Sequence, residues 1–185
     1  MLKNTLLVTI CLLLSSVLGF VAQIVFASSF GASAEMDIYF NILSIPAVIT
    51  GISTMIFSSV LIPTFAKLKS NQLELNRFIN SIWIFIFVFG VLFALIGFIV
   101  SFINIDLFIP KNQAYLRNVG IQVSLMVWIG SGFIIMSGYL SAILNYNKQF
   151  FKVAWTSLLP ASFMIIIVLL FHKKLGVRSI SLGFC

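Results

Sequence analysis

The sequence predicts an all-α integral membrane protein, a bundle of five transmembrane helices in a single domain covering residues 1–185. Composition gives the first reason: 61% of the residues are hydrophobic and 8% are charged, with a mean hydropathy of +1.18. A soluble domain carries about 25% charged and roughly 45 to 50% apolar residues. Distribution gives the second. The charged residues cluster and leave uncharged stretches at Asn4–Ala34, Ile38–Ala66, Phe78–Ile105, Asn118–Asn147 and Val153–Phe171, four of them 28 to 31 residues long and the last 19. A helix rising about 1.5 Å per residue crosses ~30 Å of hydrocarbon in about 20 residues, so each stretch spans once. The third reason is the lack of alternation: runs such as Ile82–Ile86 and Met164–Leu170 are apolar throughout, unlike the strands of a membrane barrel. Spans are expected near residues 5–28, 38–65, 78–103, 119–144 and 154–171.

Taken in order, the first span opens like a secretory signal, with Lys3 ahead of an apolar core. The apolar run then continues through Val21, Ile24, Val25 and Phe26, where a cleaved signal would have given way to polar chain, so the segment reads as a retained helix. Cys11 follows bulky Ile10 and does not fit a lipoprotein site. At 100° per residue, Ser16, Gly19, Gln23 and Ala27 share one stripe of this helix. The second span begins at Asp37, placed to cap the helix or complement its dipole, with Glu35 a solvated loop charge before it. Asn41, Ser44, Gly51, Met55 and Ser59 share a stripe here, and Pro46 should kink the helix. The third span is the apolar run Phe78–Ile105. The fourth carries Gly120, Ser124, Ser131, Gly138 and Asn145 on one face, and Pro160 interrupts the fifth. Small residues let membrane helices approach closely, and Ser or Asn can bond across the gap. Gln23 and Asn41 are too large to be spacers, which points to a water-filled cavity. The connectors Ser28–Met36, Lys67–Arg77, Asn104–Arg117 and Tyr146–Lys152 link the spans within one bundle.

The net charge of +7 arises from 11 basic and 4 acidic residues. It suits loops beside anionic lipid rather than nucleic acid, because no basic run is interleaved with exposed aromatics. Lys and Arg counts set orientation. With the N-terminus in the cytoplasm, that side holds Lys3, Lys67, Lys69, Arg77, Lys148 and Lys152; the other holds Lys111 and Arg117, with Lys173, Lys174 and Arg178 following in the tail. A cytoplasmic N-terminus is expected. No span carries an ionisable group well inside it, and His172 is the single histidine. No catalytic constellation, metal set, disulfide frame or phosphate-cradling loop can be assembled, so neither an enzyme nor a cofactor is expected.

Particular residues also carry a resemblance. Val17-Leu18-Gly19-Phe20, Phe30-Gly31-Ala32, Asp37, Tyr39-Phe40, Ile45-Pro46 and Phe57-Ser58 leading to Ile62-Pro63 resemble the opening of the MviN-type lipid II flippases, the MurJ family. Gly138-Tyr139-Leu140-Ser141-Ala142 ahead of Lys148 and Phe150 is similar to the end of that family's fourth helix, and the segment through Pro160 to its fifth. The resemblance covers essentially the whole chain. It implies a fold of the multidrug/oligosaccharidyl-lipid/polysaccharide exporter superfamily, in which two helical bundles open a central cavity to each membrane face in turn. The implied substrate is an undecaprenyl-linked peptidoglycan precursor or a related lipid-linked saccharide, and the implied location is the bacterial inner membrane. By the same resemblance this chain corresponds to about five of some fourteen helices, with Leu175–Gly183 the start of a sixth. It is therefore expected to be truncated, inactive alone and partnered by the lipid bilayer and by a missing second half or other membrane proteins.

The family pattern places arginines around Leu-Gly-Phe and after Ile-Pro, facing the substrate pyrophosphate, whose oxygens match a guanidinium fork. Here Ser16 and Ala22 stand at the first two positions, Gln23 where an acid is usual, and Ala47–Gly51 holds no base. Thr54 replaces a usual glutamate, and Asp37 alone of the charged motif positions is retained. The candidate substrate-cavity residues are Ser16, Gln23, Asp37, Asn41, Ser44 and Thr50. Two other readings stand beside this one: a piece of a polysaccharide exporter or drug antiporter of the superfamily, and a small five-span structural or assembly protein.

Overall fold

The computed structural model describes residues 2–109 and 112–184, and the side chains of residues 6–103, 105–106, 109 and 112–184. Lys111, counted above on the outer side, lies outside the described residues, as do Met1, Pro110 and Cys185. Five long apolar helical segments cross the length a bilayer requires. They are α1 (Leu2–Phe30); α2 (Ala34–Ile56) continued through a π-helical turn at Phe57–Leu61 into α3 (Ile62–Leu68); α4 (Gln72–Phe108); α5 (Ala114–Tyr146); and α6 (Phe150–Thr156) followed by α7 (Leu158–Leu175). A short α8 (Arg178–Phe184) then turns back, as expected for the start of a sixth helix.

The α2–α3, α4 and α6–α7 segments run farther into the polar connectors at both ends than the uncharged stretches indicated, and at the starts of α2 and α4 those connectors supply caps. Ser33 accepts the Met36 N–H with its hydroxyl at 3.4 Å, and Asn71 accepts the Glu74 N–H with its side chain at 3.4 Å. Asp37, expected at the cap, sits instead inside the first turn of α2, so the capping role belongs to Ser33. The sharp corner between α1 and α2 is made by Gly31 at φ +57°, a left-handed conformation that costs glycine little. At the α5–α6 corner that conformation falls to Lys148 at φ +59°, where a side chain costs on the order of 1 kcal/mol. The Lys148 N–H donates to the Asn145 carbonyl and the Gln149 N–H to the Leu144 carbonyl, each at 2.9 to 3.0 Å, the pairing that closes a helix end.

The two interior prolines behave differently. α2 passes Pro46 without changing helix type, and its backbone widens only at Phe57–Leu61, directly before Pro63, whose missing N–H leaves the carbonyl four residues earlier without its helical donor. The expected kink at Pro160 is realised as a break between α6 and α7. There the Ser15 hydroxyl of α1 donates to the Ser157 carbonyl at 3.0 Å, tying α1 to the interruption.

α5 is the hub. It packs on α2, α3, α4, α6 and α8, whereas α1 leans on α6 and α7. Within its most apolar window 56% of residues are buried, against 11 to 17% in the other four segments. One apolar cluster gathers Phe26, Tyr39, Val123, Val127, Val168 and Ile180 from α1, α2, α5, α7 and α8; a second gathers Phe65, Leu75, Ile86, Ile135 and Tyr139. Lipid tails are as apolar as Leu, so burying these groups drives little association by itself, and close packing and hydrogen bonds must hold the helices together.

Candidate functional site

The three polar stripes read from the sequence separate into two kinds. That of α5 is largely inside. Gly120, Ser124 and Ser131 are buried; a Cβ added at Gly120 would meet Ile109 and Ile105 at 3.3 to 3.4 Å. The Ser124 hydroxyl bonds that of Ser101 on α4, and Ser101 in turn donates to the Gly97 carbonyl at 2.8 Å. Toward the other end the seam opens: Gly138 and Asn145 line a crevice of about 250 Å³ with Thr54 and Ser58.

The stripes of α1 and α2 are open. Ser16 and Gln23 on α1, and Asp37, Asn41 and Ser44 on α2, are all exposed. Periodicity explains the face they occupy. In α2 the buried positions Met36, Tyr39, Ile42 and Pro46 recur at helical spacing and turn toward the core, which leaves Asn41, Ser44, Gly51 and Met55 on the opposite side. The Ser16 and Ser44 hydroxyls return to their own helices, donating to the Leu12 and Asn41 carbonyls at 3.1 and 2.7 Å. That satisfies each donor while keeping oxygen lone pairs available.

Thr50 departs from the set. It is 7% exposed and donates to the Pro46 and Ala47 carbonyls at 2.9 and 3.1 Å, so it lies on the core side of α2, away from Asn41 and Ser44. Ala22, one of the positions where the resemblance would place an arginine, is buried with Phe26 and Tyr39 and offers no outlet for a guanidinium.

Three contacts were not legible beforehand. Glu35, expected as a solvated loop charge, is half-buried in the first turn of α2 and accepts the Tyr115 hydroxyl of α5 at 2.7 Å. Its other oxygen lies close enough to Gly176 that a Cβ there would come within 3.2 Å. Arg117 pairs with Asp106 across the α4–α5 connector. The Tyr139 hydroxyl donates to the Ile79 carbonyl at 2.7 Å, beside Trp83, which stacks on its ring. Among the described residues no three His, Cys, Asp or Glu side chains come together in a way that could hold a metal ion.

A multi-pass helical bundle with one packed spine and two helices that present polar faces outward defines an integral membrane domain. A sequence model described as lipid II flippase MurJ matches residues 26–185, and the chain belongs to that family. A probable lipid II flippase MurJ of Buchnera aphidicola is 37% identical over 100 residues, 52% of this chain and 20% of that protein. The lipid II flippase MurJ of Thermosipho africanus is 25% identical over 184 residues, 98% of this chain and 38% of that protein. A solved structure of a lipid II flippase MurJ in an inward closed conformation superposes with a TM-score of 0.79 at 24% identity, over 97% of this chain and 38% of that one, a likeness of fold. This chain thus spans between a fifth and two fifths of the length of these relatives. The family match favours the flippase reading over the exporter, antiporter and small-assembly readings.

Proposed function

We propose that this chain contributes one bundle of a flippase that moves lipid II, or a related undecaprenyl-linked saccharide, across a bacterial inner membrane by alternating access, and that it is inactive by itself. The observation that carries the reading is the family match over residues 26–185 together with the open polar faces of α1 and α2. Uncharged hydroxyls and amides suit a glycan, which offers many donors and acceptors, and Gln23 and Asn41 present both kinds of group. Rocking of one bundle against another is the usual way such a midplane site is exposed to each side. Bond making or breaking has no place in this movement, so no catalytic residue is assigned.

The N-terminus is placed in the cytoplasm, on the side of the Lys67, Lys69, Arg77, Lys148 and Lys152 corners. Asp37 sits at the opposite end, at the mouth of the pathway, where it repels a pyrophosphate unless a cation or base pairs with it.

Photo-crosslinking tests the substrate assignment. A crosslinking amino acid at Gln23 or Asn41 should capture lipid II in bacterial membranes when the chain is joined to the remaining helices of the Thermosipho africanus relative, and one at Ser131 should not. Equal capture at Ser131, or none at Gln23 and Asn41, overturns the proposal. The 185-residue chain alone should fail to rescue a flippase-depleted bacterium; growth would refute its inactivity.

A further inference from the structure

At the end of the bundle away from Asp37, the first turns of α1 and the α5–α6 corner enclose a crevice of about 550 Å³. We propose that it is a binding site for an anionic phospholipid, independent of the transported substrate. Its polar part is cationic. Lys148 and Lys152 line it with Gln149 between them, and none of the described residues lining it is acidic. Of the four acidic residues in the chain, Glu35, Asp37 and Asp106 lie at the far end of the helices, and Glu74 lies in the first turn of α4.

The remainder of the crevice is apolar. Leu7 forms one wall and Phe150 and Phe151 another, all three well exposed for side chains of their kind. Trp155, one turn on, stacks near Phe151 at a centroid distance of 6.4 Å and continues the aromatic surface, as amphipathic rings do at headgroup level. A phosphodiester held by two ammonium groups, with its acyl chains running along Leu7 and the phenyl rings, satisfies both parts at once. Free phosphate would use only the first.

The backbone at Lys148 sharpens the argument. Its left-handed conformation is one that glycine adopts more readily and that helix ends commonly assign to glycine. The local fold therefore does not need lysine here, whereas an anion does.

Native mass spectrometry of the full 185-residue chain in detergent, titrated with dioleoyl phosphatidylglycerol and separately with dioleoyl phosphatidylcholine, tests the proposal. The wild type should prefer phosphatidylglycerol by roughly tenfold. The preference should fall below about twofold in Lys148→Gly/Lys152→Gln, a variant whose backbone is relieved rather than strained. The single variant Lys152→Gln, at an exposed position, should lose about threefold and reports the same effect if the double variant melts early. Lys67→Gln/Lys69→Gln, on the neighbouring corner, should leave the preference intact. A preference that survives loss of Lys148 and Lys152, that disappears equally in the Lys67/Lys69 variant, or that millimolar inorganic phosphate abolishes, overturns the assignment.

Discussion

Gly97 and Gly19 are the same residue in two apolar spans, yet their surroundings are opposite. A Cβ built on Gly97 in α4 would fall inside the ring of Trp128 on α5, whereas one built on Gly19 in α1 meets nothing within 4 Å. The contrast extends along both regions. On the α4–α5 seam small and polar residues are spent on close approach: Gly132 comes so near α4 that its Cβ would lie 3.0 Å from the Gly90 carbonyl, and Ser124 meets Ser101. On α1 and α2 residues of the same kinds stay open. A small polar stripe therefore takes two forms in this bundle, a packed seam or an open face, and only the neighbouring helix decides which.

The largest effect that would break this comparison is steric. Gly97→Leu should destabilise the chain by about 3 kcal/mol or more, the upper range for overpacking, because a rigid indole stands in the way. Gly19→Leu should stay within about 0.5 kcal/mol, as exposed substitutions do. Reversible unfolding in mixed micelles measures both; equal midpoints would mean that the α4–α5 seam is not packed as described.

Hydrogen bonds give the next effect. Tyr139→Phe removes a buried hydroxyl bonded to Ile79 and should cost about 0.6 to 1.7 kcal/mol, the range measured between membrane helices. Ser44→Ala, whose hydroxyl only returns to its own helix on an exposed face, should cost less than about 0.5 kcal/mol. If Ser44→Ala were the more damaging of the two, α2 would have to be packed against something on its open side.

Asp37 gives a small change in stability and a test of role. Because Ser33 caps α2, Asp37→Asn and Asp37→Ser should unfold within about 1 kcal/mol of the wild type, the most that dipole complementarity contributes at exposed sites. In an active chimera with the Thermosipho africanus helices, the same changes should slow transport at least about fivefold, equivalent to roughly 1 kcal/mol of coupling. Transport at the wild-type rate, with normal protein levels, would reduce Asp37 to a dipole partner.

Much of the fold was legible because charge is so costly in hydrocarbon that the uncharged runs outline the helices. Their ends were less so: Ser33 and Asn71 look like loop residues but act as caps, and carry α2 and α4 outward. Pro46 was a poor guide to irregularity. The π turn before Pro63 was not anticipated, since residue type does not reveal how a membrane helix re-satisfies its carbonyls. For the site, periodicity grouped Asn41 with Ser44, but Thr50 belonged to the buried side. Nor did it separate the α5 stripe from those of α1 and α2, because spacing identifies a face without identifying what covers it. The Glu35–Tyr115 bond joins residues 80 positions apart and leaves no local signal.

The central claim is that α1 and α2 line an aqueous path while α5 is the packed spine. Cysteine accessibility tests it most directly. With Cys11 and Cys185 replaced by Ala, single cysteines at Gln23, Asn41, Ser44, Ser124 and Ser131 are treated in native membranes with a small water-soluble thiol reagent. Labelling at Gln23, Asn41 and Ser44, with Ser124 and Ser131 silent, is the predicted result. Labelling at Ser124 and Ser131, or silence at Gln23, Asn41 and Ser44 matching that of a lipid-facing control at Leu95, would contradict it.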